Sequence, residues 1–260
     1  MKKTPLIFAL AALTFSPFLA PAQEVSATKA PPQLIDVTKF RPFSDAVVEM
    51  FALGSDKGQA LLDRKAAVDY AALAPVWVPQ YDSHCGAASA VVVANALNPG
   101  LRLTQDCLFI PETEHIITQD VVYRIGFTLE ELEEMIRTRT GLTAARFHAG
   151  TEEGQHDFAA FEAALRKNRE SRNDQLILNF AGNWFFDRKN SGGHFSPVGD
   201  YHEESGMMLI MEVNPAREKY WVSAQEMWDA MNKVDRISGL VRGWIVVEKK
   251  ETPAESADGG

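Results

Sequence analysis

The sequence predicts an α+β fold, with a helical N-terminal lobe followed by an antiparallel β-sheet lobe, one domain in two halves. Three observations carry that expectation. A run of small and apolar residues from Cys85 to Leu97 reads as a buried helix. Two amphipathic helices with clear start signals follow, one after Thr128 and one after Asp157. Past Asn173-Asp174 the texture changes to short apolar and aromatic runs separated by Gly-containing turns, the pattern of paired strands.

The elements follow in order. Met1-Lys2-Lys3, an apolar stretch over Leu6–Phe15 and Ala20-Pro21-Ala22 make a charged, an apolar and a small-x-small segment. That is the pattern of a secretory signal peptide over 1–22, too short for a membrane span, so cleavage near Ala22 and export to a bacterial periplasm are expected. Residues 23–43, rich in Pro, Ala, Thr and Lys, form an extended lead-in, and the catalytic domain is placed at 44–248. Ser44 is expected to cap a helix through Met50 and Leu53, with another helical piece over 59–73. Val76-Trp77-Val78-Pro79 is an extended approach to the Cys85 helix, which stops at Asn98-Pro99-Gly100. A short helix is expected within 116–123. Thr128 with Glu131 is a capping box, and Gly141 ends that helix. Expected strands cover 175–180, 193–201, 207–213, 220–222 and 239–247, with a helix capped by Ser223 before the last. Residues 249–260 read as a disordered tail. There is no internal repeat.

The formal net charge is −9, or −11 once Lys2 and Lys3 are removed, with no Lys/Arg cluster. Such a chain is a poor nucleic-acid binder. Only two cysteines occur, Cys85 and Cys107. In an exported protein they can form a disulfide, but Cys85 has the setting of a nucleophile and Cys107 sits in an apolar run that suits a buried thiol.

Acyl transfer from a thiol needs a thiolate, an imidazole, a group orienting that imidazole and a donor for the oxyanion. The chain offers Gln80, Cys85, His194 and Glu212 in that order. Cys85 opens a helix, whose positive end favours the thiolate. His194 follows Gly192-Gly193 on one expected strand, and Glu212 lies on the next across the Ser205-Gly206 turn. Asn214 is two residues on and is the alternative orienting group. A cysteine on the first helix of one lobe and a histidine on the sheet of the other is the papain-type arrangement. A metal site using His84, His194 and His202 lacks tight ligand spacing.

Cys85-Gly86-Ala87-Ala88-Ser89 through Asn95-Ala96-Leu97 resembles the nucleophile segment of the phytochelatin synthase family. Gly193-His194-Phe195-Ser196-Pro197-Val198-Gly199-Asp200-Tyr201 resembles its histidine strand and is the more specific of the two. The resemblance implies a papain-like cysteine acyltransferase acting on glutathione. It puts the nucleophile on Cys85, the base on His194, the acidic member on Glu212 (Asp in most of the family) and the oxyanion donor on Gln80. The family's substrate-associated arginine falls near Gly182 or Trp184 unless Arg188 substitutes, and Arg188 and Gly193 are the substrate-side candidates. The resemblance covers the family's catalytic domain only, and no cysteine-rich C-terminal region like that of the plant enzymes is expected. The resemblance then implies no tightly bound cofactor, with cadmium or zinc entering as a metal–glutathione complex. Hydrolysis is expected to outweigh transpeptidation. Expected partners are glutathione, no nucleic acid, no membrane span after cleavage, and a monomer or homodimer. The competing readings are a periplasmic peptidase or amidase of the same fold, and a non-enzymatic stress protein in which Cys85 is structural.

Overall fold

The computed structural model describes residues 49–62, 67–186 and 192–250. The expected signal segment, the lead-in, Arg188 and residues 251–260 of the tail lie outside the described residues. The first half carries β1 (Met50–Ala52), α1 (Asp56–Leu61), α2 (Val68–Leu73), α3 (Cys85–Leu97), α4 (Gln119–Ile125) and α5 (Leu129–Thr140). Then come β2 (Thr143–Ala149), β3 (Gln155–His156), α6 (Phe158–Glu170), β4 (Asp174–Ala181) and β5 (Gly193–His202). The chain continues through β6 (Met207–Ile210), β7 (Tyr220–Ser223), α7 (Ala224–Met231) and β8 (Gly243–Glu248).

Side-chain caps place the helices where the sequence signals them. Thr128 Oγ1 accepts from the Glu131 N–H at 3.2 Å, and Glu131 Oε2 accepts from the Thr128 N–H at 2.8 Å. Gly141 then ends α5 in the left-handed conformation. Asp157 and Ser223 cap α6 and α7 in the same way. The start of α3 differs: no side chain accepts from its first-turn N–H groups, which leaves them available to an anion at Cys85.

The strands form one sheet in the order β1-β7-β6-β5-β4-β8-β2-β3. All neighbours are antiparallel except β2 with β3. β4 is buried along its whole length, as a central strand with both faces covered must be. One face carries Ile177, Phe195, Leu209, Trp221 and Ile245 and packs on the apolar length of α3. The other carries Leu178, Phe180, Tyr201, Tyr220 and Trp244 and packs on Phe161 and Leu165 of α6 and Met227 and Met231 of α7.

The expected α+β class holds, but strands also come from the half expected to be helical. Met50–Ala52 is not helix. It pairs with Tyr220–Val222 at the sheet edge, and that pairing satisfies its backbone whatever its helical periodicity. The strand Thr143–Ala149 had no alternating pattern to announce it; pairing with β8 decides its state. The expected 59–73 piece is α1 and α2, with 63–66 outside the described residues. The strand expected over 207–213 stops at Ile210, and the last strand starts at Gly243 rather than 239.

The early stop at Ile210 matters for the site. Between Val198 and Asp200 the β5–β6 register slips by one residue. Gly199 is the extra residue of a bulge. Beyond the slip, the Met211 N–H donates to the Pro197 carbonyl at 2.9 Å. Continuing that register sets Glu212 opposite Ser196, on the face that His194 shares. Without the extra residue Glu212 would stand opposite Pro197 and point to the other face.

Candidate active site

Three elements converge on one cleft of about 490 Å³ lined by Gln80, Cys85, Asn179, His194, Asn214, Arg217 and Arg242 among others. The loop before α3 delivers Gln80, the first residue of α3 is Cys85, and β5 with the segment after β6 delivers His194 and Glu212. That loop turns at Asp82, whose φ of 38° is left-handed, a conformation Asp tolerates better than most residues. Gly86 is required by packing: a Cβ there would meet the Phe127 ring at 2.9 Å.

His194 Nε2 meets Glu212 Oε1 at 2.6 Å, with Ser196 Oγ at 3.2 Å from the same nitrogen. The Phe180 ring stands edge-on to the imidazole at 5.4 Å. With Nε2 occupied, Nδ1 is the ring nitrogen left for the Cys85 thiol, which lines the same cleft. Burial by itself would pull the His194 pKa down. The Glu212 charge and the hydrogen bonds to Cys85 and Glu212 outweigh it and push the pKa up to about 9. Burial would likewise raise Glu212. Instead the His194 charge and hydrogen bond, the Arg217 charge and the Asn214 N–H hold it below the usual carboxylate value. The arrangement therefore favours an imidazolium beside the Glu212 carboxylate at neutral pH.

The two orienting candidates separate clearly. The side chain on His194 is Glu212. Asn214 turns away: its Oδ1 accepts from the Ala216 N–H at 2.9 Å, and only its backbone N–H reaches Glu212 Oε1, at 2.7 Å. Gln80 is tied to the same segment, its N–H donating to the Val213 carbonyl at 2.8 Å. Its side-chain nitrogen donates to the Asp82 carbonyl. The second proton on that nitrogen remains for another acceptor.

Gly193 touches the cleft through absence of a side chain: a Cβ there would come within 3.1 Å of Arg242 Nε. Sequence reasoning missed Arg242 itself. It is 3% exposed, bonded through Nη1 to the Val234 carbonyl at 2.7 Å and through Nη2 to Asp235 at 3.2 Å, with its buried Nε unpartnered. It also missed Asn179, whose buried Oδ1 has no partner, and Arg217, whose guanidinium lies 3.7 Å over the Phe186 ring. Polar residues interrupting the apolar runs of β4 and at the entry to β8 were the available signals.

Cys85 and Cys107 are both free thiols. Cys107 is not the buried thiol expected. It is half-buried, with Thr104 Oγ1 3.2 Å from its sulfur, and the Thr104 hydrogen bonds lower its pKa. His84 bonds the Tyr81 carbonyl and His202 bonds Ser205, both away from His194's contacts. Among the described residues no group of three or more His, Cys, Asp or Glu can hold a metal ion. Nor is any described helix long and apolar enough to cross a membrane.

Comparison with known proteins gives a consistent set of matches. The profile of the family described as Phytochelatin synthase matches residues 42–244. The Glutathione gamma-glutamylcysteinyltransferase 1 of Arabidopsis thaliana is 29% identical over 174 residues, 64% of this chain and 34% of that protein. The protein of the same name from Triticum aestivum is 39% identical over 100 residues, 37% of this chain and 19% of that protein. These matches thus span a fifth to a third of the relatives' length. Among solved structures, the peptidase domain of Streptococcus ComA aligns with a TM-score of 0.42 at 15% identity, covering 66% of this chain and 97% of that one.

Proposed function

The chain belongs to the phytochelatin synthase family, and from that premise we propose that it opens the Cys–Gly peptide bond of glutathione through a thioester on Cys85. The observation that carries the reading is the assembly of Cys85, His194 and Glu212 at the uncapped start of α3.

The Cys85 thiolate attacks the carbonyl carbon of the glutathione cysteine. The carbonyl electron pair moves to oxygen, and the oxyanion takes hydrogen bonds from the free Gln80 amide proton and the first-turn N–H groups of α3. His194 gives its proton to the glycine nitrogen as the C–N bond breaks, and glycine leaves. The γ-glutamylcysteinyl group is now a thioester. Neutral His194 takes a proton from water, hydroxide adds to the thioester, and γ-glutamylcysteine departs with the thiolate restored. If the amine of a second glutathione replaces water, the product is a phytochelatin.

Substrate recognition follows from charge. Glutathione carries two carboxylates and one ammonium, and the cleft offers Arg236 and Arg242 with Asp235 among its lining. The Arg242–Asp235 pair, part-buried in the cleft, suits an amino-acid head, guanidinium to carboxylate and carboxylate to ammonium. Hydrolysis is the dominant outcome in this reading, because the family's substrate-associated arginine has no match among the described residues. Cadmium or zinc enters on the glutathione sulfur, as part of the substrate. The reading sets the reaction in a periplasm, supported by the pattern of residues 1–22.

The test uses purified protein with a reductant and millimolar glutathione, with and without cadmium or zinc, products read by mass spectrometry. Glycine with γ-glutamylcysteine is the expected result. No glycine from a protein whose Cys85 still alkylates would overturn the glutathione reading in favour of another peptide or amide substrate.

A further inference from the structure

Glu212 uses its two oxygens unequally. Oε1 contacts His194 at 2.6 Å and accepts the Asn214 N–H at 2.7 Å. Oε2 is fully buried and has no hydrogen-bond partner. Its near cation is Arg217, with Nη1 3.8 Å away, inside ion-pair range but too far for a hydrogen bond. The Arg217 guanidinium is held from the other side by the Phe186 ring, a contact worth most where water is excluded.

We propose that Arg217 is a positioning residue that fixes the Glu212 carboxylate and, through it, the His194 imidazole. This rests on Cys85 and His194 being nucleophile and base, and not on glutathione being the substrate.

A buried carboxylate with one bare oxygen is unstable unless a charge compensates it. His194 compensates only the Oε1 edge. Without a cation beyond Oε2, the carboxylate gains by turning or by taking a proton, and either change loosens the imidazole. The other groups around Glu212 do not duplicate this role. The Lys219 ammonium is engaged over the Trp77 ring at 3.8 Å and acts on Glu212 only through space. Trp77 donates to the Glu212 backbone carbonyl, not to its carboxylate. The Tyr220 hydroxyl is neutral, buried and unpartnered. Cys85 acts on His194 and is not among the groups that shift Glu212. Arg217 is thus the cation positioned to hold Oε2.

The test reads the pH profile of Cys85 alkylation by iodoacetamide, followed on the Cys85 peptide by mass spectrometry so that Cys107 does not contribute. No substrate is needed. A Glu212 carboxylate that turns away or takes a proton no longer holds the imidazolium, so in Arg217→Gln the upper limb of the profile should move down, in the direction expected of Glu212→Gln, and Arg217→Lys should restore most of the wild-type profile. A move of both limbs upward would mark only the loss of a nearby charge and would overturn the positioning role. On glutathione, kcat should fall about tenfold while KM changes by less than about threefold. An unmoved alkylation profile, with or without a raised KM, would overturn the proposal and make Arg217 a substrate contact or a packing residue. If Arg217→Gln is poorly folded, Arg217→Lys and Arg217→Met are read by the same profile. A wild-type protein inert on glutathione leaves the profile readable, so failure of the substrate reading is distinct from failure of this one.

Discussion

Glu212 and Asp69 are both carboxylates with almost no solvent exposure, 0% and 2%, and they titrate in opposite directions. Glu212 lies between His194 and Arg217 and stays ionised below its usual range. Asp69, on α2, faces Asp174 and Asp200. Burial first, and the Asp174 charge second, push its pKa up to about 8, against a hydrogen bond from Gln175 Nε2 at 2.6 Å. Burial penalises both equally in kind, so the neighbours decide which carboxylate keeps its charge. Cations surround the one that contacts the His194 ring; acids surround the one that joins α2 to β4.

The effects on stability run oppositely too. His194 is raised from 6.5 to about 9, so its contribution is full below pH 6.5 and is lost as pH rises through 9. Glu212 is lowered, so its contribution is full above about 4.5 and is lost as pH falls through its folded pKa. Asp69 holds a proton in the folded state up to about pH 8. Its contribution is full below about 3.8 and is lost progressively as pH rises to 8.

The most severe way to break the comparison is to remove the partners of Glu212. Cys85→Ser and His194→Ala should each lower glycine release by more than about a thousandfold, since the two act as a unit; a rate within tenfold of wild type would remove the mechanism. Glu212→Gln keeps the shape and deletes the charge. It should lower kcat by about 10²–10⁴-fold and move the alkaline limb of the rate profile down from about 9 toward 6.5, because the imidazolium loses its carboxylate. Asp69→Asn makes the same change at the other site. It should leave kcat unchanged and raise stability at pH 9 by on the order of 1–3 kcal/mol, measured by urea unfolding at pH 5 and pH 9; equal effects at both pH values would contradict the protonated-acid account. Thr128→Ala, remote from both carboxylates, should cost about 1 kcal/mol through the lost cap of α5, independent of pH and without effect on turnover.

The same contrast explains what could be read in the sequence. Cys85, His194 and Glu212 were legible because each sits in a local signal: a helix start, a Gly-Gly approach and a strand after a tight turn. Their convergence was legible only as chain order, since the bulge at Gly199 that puts Glu212 on the face of His194 is a matter of register. Arg242 and Asn179 were not legible. Their role depends on which strands neighbour β4, and the order β5-β4-β8 is not written in any one segment. Asp69 was missed for the same reason: its acidic neighbours arrive from β4 and β5, more than a hundred residues away. β1 shows the limit of local patterning, since Met50–Ala52 fits a helical spacing and becomes a strand because β7 offers it an edge.

The central claim is that Cys85 carries the γ-glutamylcysteinyl group as a thioester. The direct measurement is the intact mass of the protein after brief mixing with glutathione and acid quench, with the modified peptide mapped. The account predicts one γ-glutamylcysteinyl group on Cys85, formed as glycine appears, absent from Cys85→Ser and removed by hydroxylamine. Glycine released by the wild-type protein with no acyl group on Cys85, or with the group on another residue, would contradict it.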